Sequence, residues 1–121
     1  MTRLLVAGGR DFSDYALLCT TLDKFIECAR GPIEFVSGGA KGADALGERF
    51  AAERGYPITV MKAEWKKYGK AAGVIRNKQM LDYIWLEDPA VIAFWDGSSH
   101  GTKHTIDTAI KMGISPKVVR Y

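Results

Sequence analysis

The chain has 121 residues, of which 47% are hydrophobic and 26% are charged, and its formal net charge at pH 7 is +3. This length fits one domain and can bury enough surface to fold without a metal or a disulfide. No apolar run approaches the roughly 20 residues of a membrane span and no charged-then-apolar leader precedes the first strand pattern, so we expect a cytoplasmic protein.

Strand and helix patterns alternate from the start of the chain. The first half predicts a strand at 3–7, a helix ending near residue 29, a strand at 33–36, a helix at about 42–54 and a strand at 58–61. The two cysteines, Cys19 and Cys28, fall in the first helix and match no zinc or redox spacing. We predict that both are reduced core residues.

The second half begins with the one long connection, 62–73, which carries basic residues around Trp65 and Tyr68. A helix follows and is predicted to end at Asp88-Pro89. A strand at 91–95, a helix that buries residues 106, 109 and 110, and a strand at 117–120 complete the chain. Strands separated by helices predict one three-layer, Rossmann-like α/β domain with a mostly parallel five-stranded sheet.

Three of the predicted strands end in glycine-rich turns. The turns are Gly8-Gly9-Arg10-Asp11, the segment 37–44 and the segment 96–102. Ligands of open α/β sheets bind beyond the carboxyl ends of the strands, and glycine lets the backbone approach a ligand while helix N-termini attract anions. The turns therefore predict a site for a phosphate-bearing ligand, although tight turns favour Gly, Ser and Asp for steric reasons alone.

The common nucleotide and hydrolase motifs are absent. The sequence contains no G-x-x-x-x-G-K-[ST] loop, no G-x-G-x-x-G after the first strand and no G-x-S-x-G elbow. These absences argue against a P-loop NTPase, an ordinary dinucleotide dehydrogenase and a hydrolase triad.

The order of the turns resembles the SLOG superfamily, and within it the YspA/cpYpsA-related group of small proteins. The resemblance covers nearly the whole chain and rests on these segments: 8–11, 37–44, 68–73, Arg76-Asn77 with Met80, and Gly101-Thr102. It implies a Rossmann-like fold with a pocket for nucleotides or their derivatives. Relatives include LOG-type phosphoribohydrolases and the DprA/Smf proteins, which bind single-stranded DNA.

The LOG-type enzymes imply an arginine and a glutamate as catalytic groups. Arg76 matches the arginine, but Thr105 stands at the position of the glutamate. A hydroxyl cannot replace the carboxylate that N-glycosidic cleavage needs at neutral pH. A hydrolase would need Asp44 or Asp96 instead, so the candidate catalytic residues are Asp44, Arg76 and Asp96.

The candidate ligand-binding residues share a place in or beside these turns. They are Gly8, Gly9, Arg10, Asp11, Ser37, Gly38, Gly39, Ala40, Lys41, Gly42, Trp65, Tyr68, Arg76, Asn77, Gly97, Ser98, Ser99, Gly101 and Thr102. We expect 38–42 and 97–102 to cradle phosphate with charge from Arg76 and Lys41, and 8–11 to contact ribose or base. The two aromatic residues are expected to stack on a base, with Lys66, Lys67 and Lys70 around the phosphates. The alternative roles are a helix cap for Asp44, a turn former for Asp96, a solvated helix residue for Arg76 and a cover of the sheet edge for the aromatics.

No metal or cofactor is predicted. His100 and His104 have a four-residue spacing near Asp96 and Asp107, but no firm third ligand accompanies them. Trp85 and Trp95 are predicted as core or interface residues.

The preferred hypothesis is a domain that binds or senses a nucleotide-derived small molecule, with no membrane partner. One alternative is a hydrolase that cleaves base or phosphate from a nucleotide in the same pocket. Another is single-stranded DNA binding through the basic segment 62–78. A homo-oligomer formed through the helices is compatible with all three.

Overall fold

A computed structural model describes all 121 residues. In chain order the elements are β1 (Thr2–Gly8), α1 (Tyr15–Cys28), β2 (Ile33–Ser37), α2 (Ala43–Arg54), β3 (Ile58–Val60), α3 (Trp65–Tyr68), a 3₁₀ turn (Gly69–Ala71), α4 (Ala72–Trp85), β4 (Asp88–Trp95), α5 (His100–Lys111) and β5 (Lys117–Arg120). None of these helices combines the length and the apolarity that crossing a bilayer requires.

The five strands form one sheet in the order β3-β2-β1-β4-β5, and every neighbouring pair is parallel. The predicted α/β class with a five-stranded sheet is confirmed. From β1 the chain moves outward to β2 and β3, then returns to pair β4 with the other side of β1. The strand order therefore reverses between β1 and β4, which is where open α/β sheets bind their ligands.

Alternate residues of β1 pack on opposite faces of the sheet, as the two-residue repeat of a strand requires. Leu4 and Val6 join the cluster that includes residues of α1 and α2, among them Leu18 and Phe50. Leu5 joins the cluster on the other face, which includes residues of α4 and α5. Helices cover both faces of the sheet, so residues on both sides of the inner strands are apolar and the strand sequences are nearly continuous apolar runs.

Two element boundaries differ from the prediction. Asp88 and Pro89 do not end a helix: they begin β4, where Asp88 pairs with Thr2 and its N–H donates to the Met1 carbonyl at 3.2 Å. Proline is compatible with the start of a strand. The connection 62–73 is also not a plain loop, because it contains α3, the 3₁₀ turn and the first residues of α4.

Three side chains are more exposed than predicted. Ile110 is 58% exposed, because it follows the buried Ala109 directly and the helix turns it about 100° away from the core. Cys28 is exposed at the last position of α1, while Cys19 is partly buried. Trp85 is half exposed at the end of α4.

Candidate functional site

A cavity of about 490 Å³ lies at the carboxyl edge of the sheet. It is lined by the β1–α1 turn, the start of α2, the segment around α3 and α4, and the β4–α5 turn. The predicted site residues that line it are Gly8, Gly9, Arg10, Asp11, Ala40, Asp44, Trp65, Arg76, Asn77, Asp96, Ser99, Gly101 and Thr102. The structure therefore brings residues that are up to 94 positions apart in sequence to one concave surface, whose size suits a small molecule.

Other predicted residues lie outside the lining of the cavity. They are Ser37, Gly38, Gly39, Lys41, Gly42, Tyr68, Gly97 and Ser98. Some of them support residues of the lining instead. The carbonyl of Gly38, for example, holds Arg76.

Gly42 fixes the start of α2 against the β1–α1 turn. The Gly9 carbonyl accepts hydrogen bonds from Phe12 and from Ala43, both at 3.2 Å. Gly42 has φ +75°, and a Cβ built on it would lie 2.2 Å from the Gly9 oxygen. A glycine is required at this position because the backbones of the two turns are in contact.

Asp44 is a buried carboxylate at the cavity wall. It is 6% exposed, and its Oδ2 accepts a hydrogen bond from the Ala40 N–H at 3.3 Å. Burial raises the pKa of Asp44 to about 6, although the Ala40 amide and the Arg76 charge act in the opposite direction. A carboxyl group with this pKa can exchange a proton near neutral pH.

The guanidinium of Arg76 is half buried and is held by uncharged acceptors. Its Nη1 donates to the Gly38 carbonyl at 2.6 Å and its Nε donates to Asn77 Oδ1 at 3.1 Å. Burial lowers the pKa of Arg76, and the charge of Asp44 opposes that effect. No ion pair within 4.0 Å joins Arg76 to an acid, so its positive charge is available to an anion in the cavity.

Asp96 organises the β4–α5 turn. Its Oδ1 accepts from the backbone N–H groups of Ser98 at 2.9 Å and Ser99 at 2.8 Å, and these bonds lower the pKa of its carboxyl group. No side chain caps the first turn of α5. The N–H groups at the start of this helix are therefore free to bind an anion.

Some lining residues were not predicted as ligand contacts. These are Ala7, Gly73, Val74, Met80 and Thr105. Gly73 and Met80 follow from helical spacing, because steps of three and four residues place them on the same face as Arg76. Of the lysines expected near the phosphates, Lys70 lines the cavity, whereas Lys41, Lys66 and Lys67 do not.

Thr105 occupies the place that the LOG resemblance gives to a glutamate. Its side chain is buried at 2% exposure, lines the cavity and donates to the Gly101 carbonyl at 3.4 Å. The acids that line the cavity are Asp11, Asp44 and Asp96.

Trp65 and Tyr68 have different positions relative to the cavity. Trp65 is 52% exposed and lines the cavity, with Gly73 beside its ring. Tyr68 lies outside, under the ammonium of Lys67, which is 5.1 Å from the centre of its ring. Only Trp65 of the two is placed to stack on a ligand in the cavity.

His104 contacts polar neighbours on α4 and α5. Its Nδ1 lies 3.4 Å from the Asn77 amide nitrogen, and its Nε2 lies 3.4 Å from the Thr108 hydroxyl. His100 is exposed at the start of α5. Neither histidine is among the residues that line the cavity.

Comparisons with known proteins agree with this architecture. The profile of the YspA, cpYpsA-related SLOG family (YAcAr) matches residues 2–68, which include the first two glycine-rich turns. The chain is also similar to the Gene 61 protein of Mycobacterium phage D29, with 33% identity over 119 residues that cover 94% of this chain and 93% of the phage protein. No solved structure matches the chain. The chain therefore belongs to the YspA, cpYpsA-related SLOG family.

Proposed function

We propose that the protein binds a nucleotide or a nucleotide-derived, phosphate-bearing ligand in the cavity at the carboxyl edge of the sheet. The observation that carries the proposal is the convergence on one cavity of an uncapped helix start at α5 and the half-buried Arg76, which forms no ion pair within 4.0 Å. Helix N–H groups and an arginine fork are a combination suited to phosphate oxygens.

The remaining surface of the cavity suits the rest of a nucleotide. Trp65, Val74 and Met80 give an apolar side on which a base can stack. Asp11 and Asp44 offer oxygen acceptors for hydroxyl or amino groups. Arg10 and Lys70 add positive charge at the same cavity.

Isothermal titration with AMP, GMP, CMP, UMP and ADP-ribose tests the proposal. Arg76→Gln removes the buried charge and should weaken binding about 10-fold or more, because hydrogen bonds to charged groups contribute roughly 1.5–3 kcal/mol. Lys24→Gln removes an exposed charge on α1, away from the cavity, and should bind as the wild type does. Absence of binding by the wild-type protein, or equal loss in both variants, would contradict the proposal.

A hydrolase is the second candidate, favoured by one observation. Two carboxyl groups of the same cavity have opposite pKa shifts, with Asp44 raised to about 6 and Asp96 lowered. Such pairs are typical of general acid and base groups. Incubation with the same nucleotides and chromatography for released base or phosphate tests this activity: binding without turnover rejects it, and turnover that Asp44→Asn abolishes supports it.

A further inference from the structure

Tyr121, which follows β5, contacts the β1–α1 turn. Its hydroxyl donates to Asp11 Oδ1 at 2.5 Å, and its N–H donates to the Trp95 carbonyl at 3.3 Å. Its ring packs edge-on against Phe12, with 4.9 Å between the ring centres. Two contacts therefore hold this side chain beside the turn, and one backbone hydrogen bond holds the residue to the end of β4.

The turn leaves space for the tyrosine hydroxyl. A Cβ on Gly9 would lie 1.8 Å from the Tyr121 hydroxyl, so a larger residue at position 9 would displace the tyrosine from this place. Phe12 is buried and stacks on Phe94 with 4.7 Å between ring centres. The tyrosine thus packs on the core of the domain, while Gly9 and Asp11, which it contacts, also line the cavity.

The hydrogen bond to Tyr121 leaves Asp11 with one unused oxygen. Oδ1 is occupied, whereas Oδ2 accepts no hydrogen bond from the protein. A carboxylate repels phosphate and accepts bonds from neutral donors. A nucleotide offers such donors on its ribose and on its base. The apolar side of the cavity, which suits the base, belongs to α3 and α4 around Trp65 and Val74, so the ribose is the part of the ligand left for Asp11.

We propose that Tyr121 is a positioning residue that holds Asp11 to accept hydrogen bonds from the ribose hydroxyls of the bound nucleotide. The site then selects ribonucleotides over nucleotides that lack these hydroxyls, because a site built to bind a hydroxyl is left with an unpaired acceptor when the hydroxyl is missing. The inference rests on the proposed function.

The test compares AMP, GMP, CMP and UMP with their 2′,3′-dideoxy counterparts by isothermal titration. The wild type should bind the ribonucleotide about 10-fold more tightly or better. Tyr121→Phe keeps the ring on Phe12 but removes the hydroxyl, and it should lose most of this selectivity, as should Asp11→Asn. The double variant should lose no more than Asp11→Asn alone, because the two residues act as one unit. Tyr56→Phe, on a tyrosine that packs against Phe35 and not in the cavity, is the matched control.

Each outcome has a distinct meaning. Ribose selectivity that persists in Tyr121→Phe, or equal wild-type affinity for both series, overturns the inference and leaves the proposed function standing. Failure of the wild type to bind any of these nucleotides contradicts the proposed function and the inference together. Thermal unfolding of each variant verifies folding, and Asp11→Asn, at an exposed position, tests the ribose contact even if the tyrosine variant does not fold.

Discussion

At the residue scale, the buried carboxyl group of Asp44 lowers the stability of the folded protein at neutral pH. Its carboxyl group lies out of water at the start of α2, near the like charge of Glu48, and only the Ala40 and Gly38 amides and the Arg76 charge favour its ionised form. Burial is the largest of these effects and raises the pKa from 3.8 to about 6. Between pH 3.8 and about 6, the folded protein therefore holds a proton on Asp44 that the unfolded chain has already released.

This difference predicts a pH-dependent effect of Asp44→Asn. Since the folded pKa is the higher one, the stabilisation from protonated Asp44 is present below pH 3.8 and is lost as the pH rises through about 6. The free energy of unfolding of Asp44→Asn, minus that of the wild type, should rise by roughly 3 kcal/mol between pH 3.5 and 7. Urea unfolding in half-unit pH steps measures the difference, and a flat difference would contradict it.

Sequence reasoning identified part of the cavity lining at this scale. Asp44 and Arg76 belong to recognisable segments, so their residue types and positions could be predicted. Tyr121 could not, because its contact with Asp11 joins residues 110 positions apart and no local pattern signals it. Lysines expected near the phosphates, such as Lys41 and Lys70, are indistinguishable as charges in a sequence. Only the path of the chain before α4 shows that Lys70 is the one that lines the cavity.

At the element scale, the contact between the β1–α1 turn and α2 connects two walls of the cavity. Gly42→Ala would add both a strained φ and a collision with the Gly9 carbonyl, and we expect a loss of about 3 kcal/mol or more of unfolding free energy. Gly69→Ala is the matched control, because Gly69 has nearly the same backbone conformation as Gly42 (φ +58°, ψ −133° against φ +75°, ψ −125°) but no heavy atom within 4 Å of the added Cβ.

The control variant should lose only about 1–2 kcal/mol, the cost of the strained backbone without a collision. Chemical denaturation of both variants gives the two values. Equal losses would show that backbone strain alone, and not the contact between the turns, requires glycine at position 42.

The elements themselves were predicted well where the apolar period was regular. All five strands and the helices that separate them follow from alternating apolar runs and glycine stops. The error at Asp88-Pro89 has a physical origin: proline commonly ends a helix, but here the strand partner Thr2 determines where β4 begins. Likewise, α3 is too short for a periodic signal to reveal it.

At the scale of the whole molecule, the basic segment 62–78 presents fewer free charges than its composition indicates. Lys67 lies 4.0 Å from Glu64, and Lys78 pairs with Asp82 at 2.5 Å. Arg76 is half buried and holds the Gly38 carbonyl. The exposed lysines of the segment that have no acidic partner are Lys62, Lys66 and Lys70.

This arrangement predicts how single-stranded DNA and nucleotides compete for the protein. Three phosphate contacts give a slope of log affinity against log salt of about −2, against about −4 for six contacts. We therefore expect weak binding of a labelled oligo(dT) 12-mer with a slope no steeper than about −2, measured by fluorescence anisotropy between 50 and 300 mM salt. A nucleotide held by backbone N–H groups and Arg76 should show a shallower slope and should be displaced only weakly by the oligonucleotide, because Lys70 is the only one of the three lysines that lines the cavity. A slope near −4, together with displacement of the nucleotide, would instead favour single-stranded DNA as the ligand, because all six cations of the segment would then have to contact phosphates.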